Sequence, residues 1–545
     1  MIEDRGSKIE NRESRMGDHR IDFRSSSLNP RFWSVIRVFS LLLLCWFLFF
    51  VRLGQRDLTS SHEARAAQNA ASILNDGNWG LPRLINQRVE LQKPPLYYWL
   101  VAILGQLQGG VGALATRLPA ALAGLACVLF LYFLGCRRHR PVAGFLAAAI
   151  LATCLHFTWL ARVGRIDMPL TLAVTLALGG FYLGKCRRAE GGRAWPWFLL
   201  GYLAVALGIL LKGPIAVVLP VLAAGAFLLV QRINRRSRIE SSGSRMEDWQ
   251  SANRSSILNP QSSTLRAWSL WRSTLWWGIP LILLVAAPWF VWANVQTDQR
   301  LFQVFFWYHN IERGFGGSNL GAHPWWFYGP RLMLDLLPWS LAIPFAGWYC
   351  WRHSIWREDA ESRFGLLWLL AMLVFLSLMR FKRADYLLPA YPGVALSLGC
   401  LGERYLKERQ QRLARLLPYA LGLVVAGLVI GWGIYLSRPD RPSSYRQFAD
   451  DIRRLTKQHV IFFRTEAHEV VFHVGQPLDT ILEWENLDIW ASSPTVTYFV
   501  MPPDCARDWP RHLQKGRLEE VLRTTGSEQR PLVLLRSVIP AATTY

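Results

Sequence analysis

The sequence predicts a polytopic α-helical membrane protein of about eleven to thirteen spans with a small α/β domain at its C-terminus. Three observations carry this. The chain is 52% hydrophobic and only 18% charged over 545 residues. Its apolar residues fall in long runs with almost no charge, such as Val35–Val51, Leu118–Leu134, Val142–Leu155 and Leu416–Leu436, close to the roughly 20 residues a spanning helix needs. After residue 440 that pattern stops and short alternating segments replace it. The 26 Trp fit the same class, since Trp favours membrane interfaces.

Residues 1–30 are polar, rich in Arg, Ser and Asn, and echoed by a similar polar stretch within 232–270. Neither copy has apolar periodicity, so both read as disordered cytoplasmic segments. The positive-inside rule then sets topology. Helix 1 (33–53) leaves the cytoplasm. Residues 95–108 are too short to span and read as a helix reclining at the outer interface. The following crossings read as 113–136, 141–160, 168–185, 195–211, 214–231, 274–294, 326–350, 364–379, 386–402 and 416–436. Arg137, Arg138 and Arg140, then Lys185 and Arg187, then Arg352 and Arg357, then Arg404–Arg415 mark the cytoplasmic returns. The membrane domain is thus 31–437, and 440–545 is an extracytoplasmic α/β domain. There Val460–Phe463, Val470–Val474, Val496–Met501 and Leu532–Leu535 read as strands, Tyr445–Lys457 and Arg511–Arg523 as helices.

The formal net charge of +23 would suggest nucleic acid in a soluble protein. No zinc-finger spacing, RNA-binding motif or Walker loop accompanies it, and cytoplasmic loop charge accounts for it, so no nucleic-acid partner is expected. Of eight Cys only Cys505 lies in the polar C-terminal region, and there is no CxxC pair. Neither a disulfide framework nor a thiolate zinc site is expected.

The outer loops should be poor in Lys and Arg, yet four of them carry Arg65 and Lys93, Arg165, Lys212, and Lys382 with Arg383. Charge at a membrane lip is costly and marks a substrate path. These cations suit a phosphate ester held near the bilayer, which Lys and Arg neutralise by charge-assisted hydrogen bonds. Acidic and imidazole groups share the loops. Glu63, Asp167 and His62 are the candidate proton acceptors; a helix-capping role is the plainer account of Asp167. His323 is either an interfacial residue or a ligand to a divalent metal.

The order of SHEAR (61–65), KPPLYYW (93–99), RLPAALAG (117–124), GRIDMPL (164–170), LKGP (211–214), HPWWFYGP (323–330), LPWS (337–340) and FKRADYLLPAYPGVAL (381–396) resembles the glycosyltransferase-C superfamily. It is most similar there to bacterial relatives of the dolichyl-phosphate-mannose protein mannosyltransferases and of the aminoarabinose lipid A transferase, over residues 33–437. The resemblance implies an inverting transfer of sugar from a polyprenyl-phosphate donor to a lipid, glycan or protein acceptor at the outer face of the inner (plasma) membrane. It implies that Lys93, Arg65, Lys382 and Arg383 contact the donor phosphate, joined by Lys212 and Arg165, and that Asp167 serves catalysis or acceptor orientation. Two positions depart from the pattern. His62-Glu63 stands where Asp-Glu is common, which leaves Asp167, Glu63 and His62 all open as the base. Gln92 stands where the aminoarabinose transferase places a metal-binding Glu, so a metal at His323 would be weakened or absent. A flippase of lipid-linked sugars and a non-catalytic envelope scaffold are the alternative readings.

Overall fold

The computed structural model describes residues 30–58, 60–243, 261–312, 316, 323–408, 413–437, 444–458, 460–524 and 530–538. Met1–Ser40 forms one unit, whose described part is the start of helix α1, and Leu41–Tyr545 the other. The polar N-terminus up to residue 29 and the linker core 244–260 lie outside the described residues. The linker is shorter than its sequence suggests, because the flanking helices run on through Gly243 and begin again at Gln261.

The helices of the membrane domain are α1 (Pro30–Cys45, continued by a π-turn Trp46–Phe50), α2 (Ser61–Asp76), α3 (Leu96–Leu107), α4 (Ala113–Arg137), α5 (Pro141–Ala152), α6 (Leu155–Ala161), α7 (Asp167–Ala189), α8 (Trp195–Lys212), α9 (Ile215–Gly243), α10 (Gln261–Val295), α11 (Tyr328–Asp335), α12 (Ile343–Arg352), α13 (Ala360–Leu378), α14 (Tyr391–Glu408) and α15 (Leu413–Ser437). Among the described residues seven are long and apolar enough to cross a bilayer, eight if α5 and α6 count as one bent span. That is fewer than the eleven crossings read from the sequence. The physical reasons are local. The expected helix 141–160 bends by 70° between α5 and α6. The expected helix 326–350 breaks into α11, a 3-10 turn at Trp339–Ala342 and α12. Pro338 and Pro344 cannot donate to a helical ladder. Across that break the amide of Leu155 donates to Leu337 O at 2.9 Å, joining the two interruptions.

The outer faces stay apolar. Leu283, Leu284 and Val291 on α10 and Val374 and Leu378 on α13 are all exposed, a surface that lipid satisfies and water would not. Inside, small residues let backbones approach. A Cβ on Gly135 would lie 2.4 Å from Gly144 Cα, so the α4–α5 hairpin closes only with glycine there. One end of the bundle is tied by ions: Arg138 pairs with Glu190 at 2.8 Å and Glu361 at 3.0 Å, and Arg140 with Asp359 at 2.8 Å and Glu403 at 2.6 Å.

The first loop is more ordered than its motifs suggested. Ser60 caps α2 by accepting from the His62 amide at 3.3 Å, and Gly77 (φ 67°) ends it in the left-handed region. The buried face of α2 (Ala66, Ala70, Ile73) packs on Tyr97, Tyr98 and Val101 of α3.

The C-terminal domain holds helices α16 (Ser444–Leu455), α17 (His468–Val474), α18 (Trp484–Ala491) and α19 (Pro503–His512) around strands β1 (Val460–Phe463), β2 (Asp479–Ile481), β3 (Tyr498–Met501), β4 (Leu518–Arg523) and β5 (Val533–Ser537). The sheet order is β2-β1-β3-β5-β4, with β2, β1 and β3 parallel and β5 antiparallel to both its neighbours. Val460 and Phe462 pack towards α16 and α17, and Ile461 and Phe463 towards α18. Two expectations fail. Val470–Val474 is helix, because Val470, Val471 and Val474 form an i, i+1, i+4 face against the sheet. Arg511–Arg523 is a helix end followed by edge strand β4.

Candidate active site

Helix register sends Glu63 inward and His62 and Arg65 towards open space. Glu63 is 1% exposed. Its carboxylate accepts from Arg117 Nε at 2.7 Å, from Arg117 Nη2 at 3.2 Å and from the Gly164 amide at 2.8 Å. Arg117, on the first turns of α4, spends its remaining donors on the carbonyls of Leu53, Arg56 and Asp57 at 2.7–3.1 Å. Glu63 therefore joins α2, α4 and the α6–α7 turn.

That turn places Arg165 and Asp167. Asp167 opens α7, at the positive end of the helix dipole. It is 5% exposed, accepts from Lys212 Nζ at 2.5 Å, and lies 3.4 Å from Arg165 Nε. Lys212 is the last residue of α8, ahead of Gly213 (φ 75°), and its ammonium sits 4.6 Å from the Tyr386 ring centre. Arg165 also reaches Asp385 at 2.7 Å, so one guanidinium bridges two carboxylates. Arg383 lies 3.7 Å from Asp385 and 3.1 Å from His62 Nε2. Burial pushes the Asp385 carboxyl up. The hydrogen bond from His156 and the charges of Arg165 and Arg383 outweigh it and hold the group below the usual carboxylate range.

The bend between α5 and α6 carries His156 into this cluster. Its Nε2 is 3.4 Å from Asp385 and its Nδ1 3.3 Å from Asp335. Asp335 also accepts from the Tyr391 hydroxyl at 2.9 Å and from Arg331 at 2.9 Å. His62 opens onto a cavity of about 730 Å³ shared with Arg65 and the C-terminal domain. His156, Asp335 and Asp385 line a second cavity of about 590 Å³, walled by Trp159, Trp432 and Gly431. The protein around the His62 ring, then the positive charges of Arg165 and Arg383, depress its pKa to about 3 against the pull of Asp167, so the imidazole is neutral at pH 7.

The structure thus brings together His62, Asp167, Arg165, Lys212 and Arg383. It gives the other expected residues different surroundings. Arg65 pairs with the buried Glu90 in the cavity wall. Lys382 is 3% exposed and donates to the carbonyls of His323, at 3.0 Å, and Met379. Lys93 is half-buried in the loop just ahead of α3. His323 is exposed and stacks on Phe327 with ring centres 4.5 Å apart. Among the described residues no three His, Cys, Asp or Glu side chains converge to hold a metal. Asp385, His156 and Asp335 escaped the sequence reading. Asp385 lies inside a quoted motif beside two cations that drew attention first. His156 and Asp335 break apolar runs, which was the available signal.

Residues 92–244 match the family of dolichyl-phosphate-mannose-protein mannosyltransferases. The chain is 31% identical over 416 residues to an undecaprenyl phosphate-α-4-amino-4-deoxy-L-arabinose arabinosyl transferase of Pseudomonas fluorescens Pf0-1, covering 75% of this chain and 66% of that one. It is 31% identical over 365 residues to its counterpart in Pseudomonas aeruginosa LESB58, covering 66% and 58%. It therefore spans just under two thirds, or less, of the length of these relatives. The fold matches ArnT of Cupriavidus metallidurans bound to undecaprenyl phosphate with a TM-score of 0.71 at 19% identity, over 94% of this chain and 99% of that one. The archaeal oligosaccharyltransferase AglB of Archaeoglobus fulgidus follows at 0.52 and 13%, over 87% and 70%. With its motifs in order along a bundle of this architecture, the chain is a glycosyltransferase-C relative of the protein mannosyltransferases and the aminoarabinose transferases.

Proposed function

We propose that the protein is a membrane glycosyltransferase that moves a sugar from a polyprenyl-phosphate donor to a lipid, glycan or protein acceptor, with inversion, at the extracytoplasmic face of the inner membrane. The observation that carries this is the charge balance of the cluster. Three cations (Arg165, Lys212, Arg383) face two carboxylates (Asp167, Asp385), with a neutral His62 beside them. The cluster is one positive charge in excess and is bordered by cavities on both sides. A phosphate monoanion completes it.

Such a donor already carries its leaving group at the anomeric carbon. The protein must stabilise charge on the departing phosphate and accept a proton from the attacking hydroxyl. Pre-placed guanidinium and ammonium groups do the first without reorganising at the moment of reaction. The phosphate competes with Asp167 for Lys212 and Arg165. Asp167 then has an oxygen to offer the incoming hydroxyl, so donor binding prepares the base. His62, neutral and open to the cavity, orients the acceptor. Glu63 is fully engaged by Arg117 and the Gly164 amide, and serves as a structural lock.

The test is sugar transfer by the full chain in lipid nanodiscs, with radiolabelled polyprenyl-phosphate sugars and an envelope extract as acceptor. Transfer that Asp167→Asn and Lys212→Ala each reduce by about a hundredfold or more supports the assignment. Transfer left intact by both refutes it.

A further inference from the structure

A further cavity, of about 240 Å³, lies between α7, α8, α9 and α10, away from the site. Its lining runs from Leu178 to Lys185 on α7, from Val217 to Leu228 on α9 and from Thr274 to Ile282 on α10, which makes it a groove along the helices. The stretch on α9 spans about 16 Å at helical rise, roughly half of a ~30 Å hydrocarbon core. The end nearer the site is closed, because Val217 and Ile282 pack there with Ala177, Ala204 and Val205. The far end holds Lys185, about 27 Å along α7 from Asp167. The groove also opens sideways. Val221 on α9 and Ile279 on α10 both line it and are exposed, on an apolar surface that continues through Leu222 and Leu283. Each lip carries a proline, Pro220 and Pro280, and a proline inside a helix kinks it.

The lining suits hydrocarbon. Its hydroxyls are engaged with the protein: Tyr182 donates to Glu361 at 2.9 Å, and Tyr202 pairs with Thr274 Oγ1 at 3.0 Å. The other side chains along it, Lys185 apart, are apolar. A sugar or peptide there would leave its polar groups without partners, at a cost that a hydrocarbon chain does not meet. Among the described residues that line the groove, Lys185 alone carries charge. Its ammonium donates to Gln231 and lies 4.6 Å from the Phe227 ring centre, so α9 holds it at the far end. Arg188, one turn further along α7, and Arg232, next to Gln231, are exposed at that end. A groove one leaflet deep with cations at its end matches the shape and charge of an anionic phospholipid. A head group at Lys185 lies almost a full hydrocarbon thickness from Asp167, which puts that lipid in the leaflet opposite the site.

We propose that this groove binds an acyl chain of one anionic phospholipid from the leaflet opposite the site, with the lipid phosphate on Lys185. The chain fills the space between α7 and α8 on one side and α9 and α10 on the other. Asp167 and Lys212 stand at the other ends of α7 and α8, so the lipid braces the two helices that carry this ion pair. The site is separate from the charged cluster and its two cavities, and it does not depend on the transferase reading.

The experiment is native mass spectrometry of the full chain in neutral detergent, titrated with phosphatidylglycerol or with phosphatidylcholine of the same acyl chains. One saturable phosphatidylglycerol site, at least about fivefold tighter than phosphatidylcholine, is the expected result. Lys185→Gln should bring phosphatidylglycerol down to the level of phosphatidylcholine. Ile279→Trp, at the exposed lip, should weaken both lipids by about fivefold or more. The absence of a saturable site, equal binding of the two lipids, a preference that survives Lys185→Gln, or binding that Ile279→Trp leaves unchanged would each overturn the proposal. So would undecaprenyl phosphate displacing the bound phosphatidylglycerol at a lower concentration than phosphatidylglycerol itself, which would give the groove to a polyprenyl chain.

Discussion

Arg117→Met asks whether Glu63 is a lock or a base. Arg117 is 6% exposed and makes five hydrogen bonds, two to Glu63 and three to backbone carbonyls of the loop after α1. Methionine keeps much of the stem and removes all five donors. Glu63, at 1% exposure, would keep the Gly164 amide but lose its guanidinium partner. Breaking a buried ion pair by removing one partner costs about 3–5 kcal/mol, because the remaining charge is stranded. A second change, Glu63→Gln, takes that charge away. The double variant should therefore recover about 1–3 kcal/mol relative to Arg117→Met alone, a coupling that only contacting residues show. The assay is thermal unfolding of the purified chain in detergent at a fixed scan rate, with transfer activity per folded molecule measured in parallel. A loss below about 1 kcal/mol for Arg117→Met, or a double variant no more stable than the single one, would refute the lock. So would a Glu63→Gln protein that folds normally and has lost transfer altogether, since that is the behaviour of a catalytic base.

Other expectations follow from the same geometry. Asp385→Asn should leave the fold intact and lower transfer about tenfold or more, by removing the second anchor of Arg165; donor titration would show it mainly as a raised KM. Arg140→Ala, at the opposite end of the bundle, leaves Glu403 with Lys407 alone and Asp359 with the Ser362 amide, and should lower thermal stability by about 1–3 kcal/mol with activity per folded molecule unchanged. His468 has its pKa depressed to about 4, first by burial and then by Arg65. Between that value and the ordinary imidazole value of about 6.5 the unfolded chain binds the proton and the folded one does not. This contribution is therefore complete above about pH 6.5 and fades as pH falls to about 4, by on the order of 2–3 kcal/mol. Melting curves of His468→Gln should be flatter over that window, and an unchanged slope would count against the assignment.

The legible parts of this fold were those where composition alone decides. Apolar runs such as 113–136, 168–185 and 195–211 became α4, α7 and α8 because hydrocarbon leaves the backbone no hydrogen-bond partner but its own helix. The reading failed where a tertiary partner replaced the ladder. The 141–160 run looked continuous, but the amide of Leu155 is taken by Leu337 and Thr153 Oγ1 accepts from Trp339 Nε1 at 2.8 Å. In the C-terminal domain the β-branched run at 470–474 has strand propensity, yet its burial against the sheet makes it helical. In the site, cations were readable because Lys and Arg on an outer loop break a compositional rule. Their acidic partners were not, because pairing depends on which loops meet. Nothing local in sequence says that Arg165 bridges Asp167 and Asp385, 218 positions apart, or that Lys382 turns into backbone carbonyls while its neighbour Arg383 faces His62.

The two charged ends of the bundle differ in a way that bears on where chemistry can occur. At one end Arg138 and Arg140, joined by Arg187 and Lys407, face four carboxylates, Glu190, Asp359, Glu361 and Glu403. That end is balanced, four cations to four carboxylates, and none of those residues lines either cavity at the site. Its ions hold helix ends in register. At the other end three cations stand over two carboxylates, and cavities of about 730 and 590 Å³ reach it from two directions. An ion network that only fastens helices gains nothing from excess charge or from solvent access, since both raise the desolvation and repulsion it must overcome. A network that waits for an anion needs both. The His62–Arg383–Asp385 chain joins the two cavities across that excess. Two ligands entering from different sides would meet at Arg165, with Asp167 between them and the positive end of α7 behind.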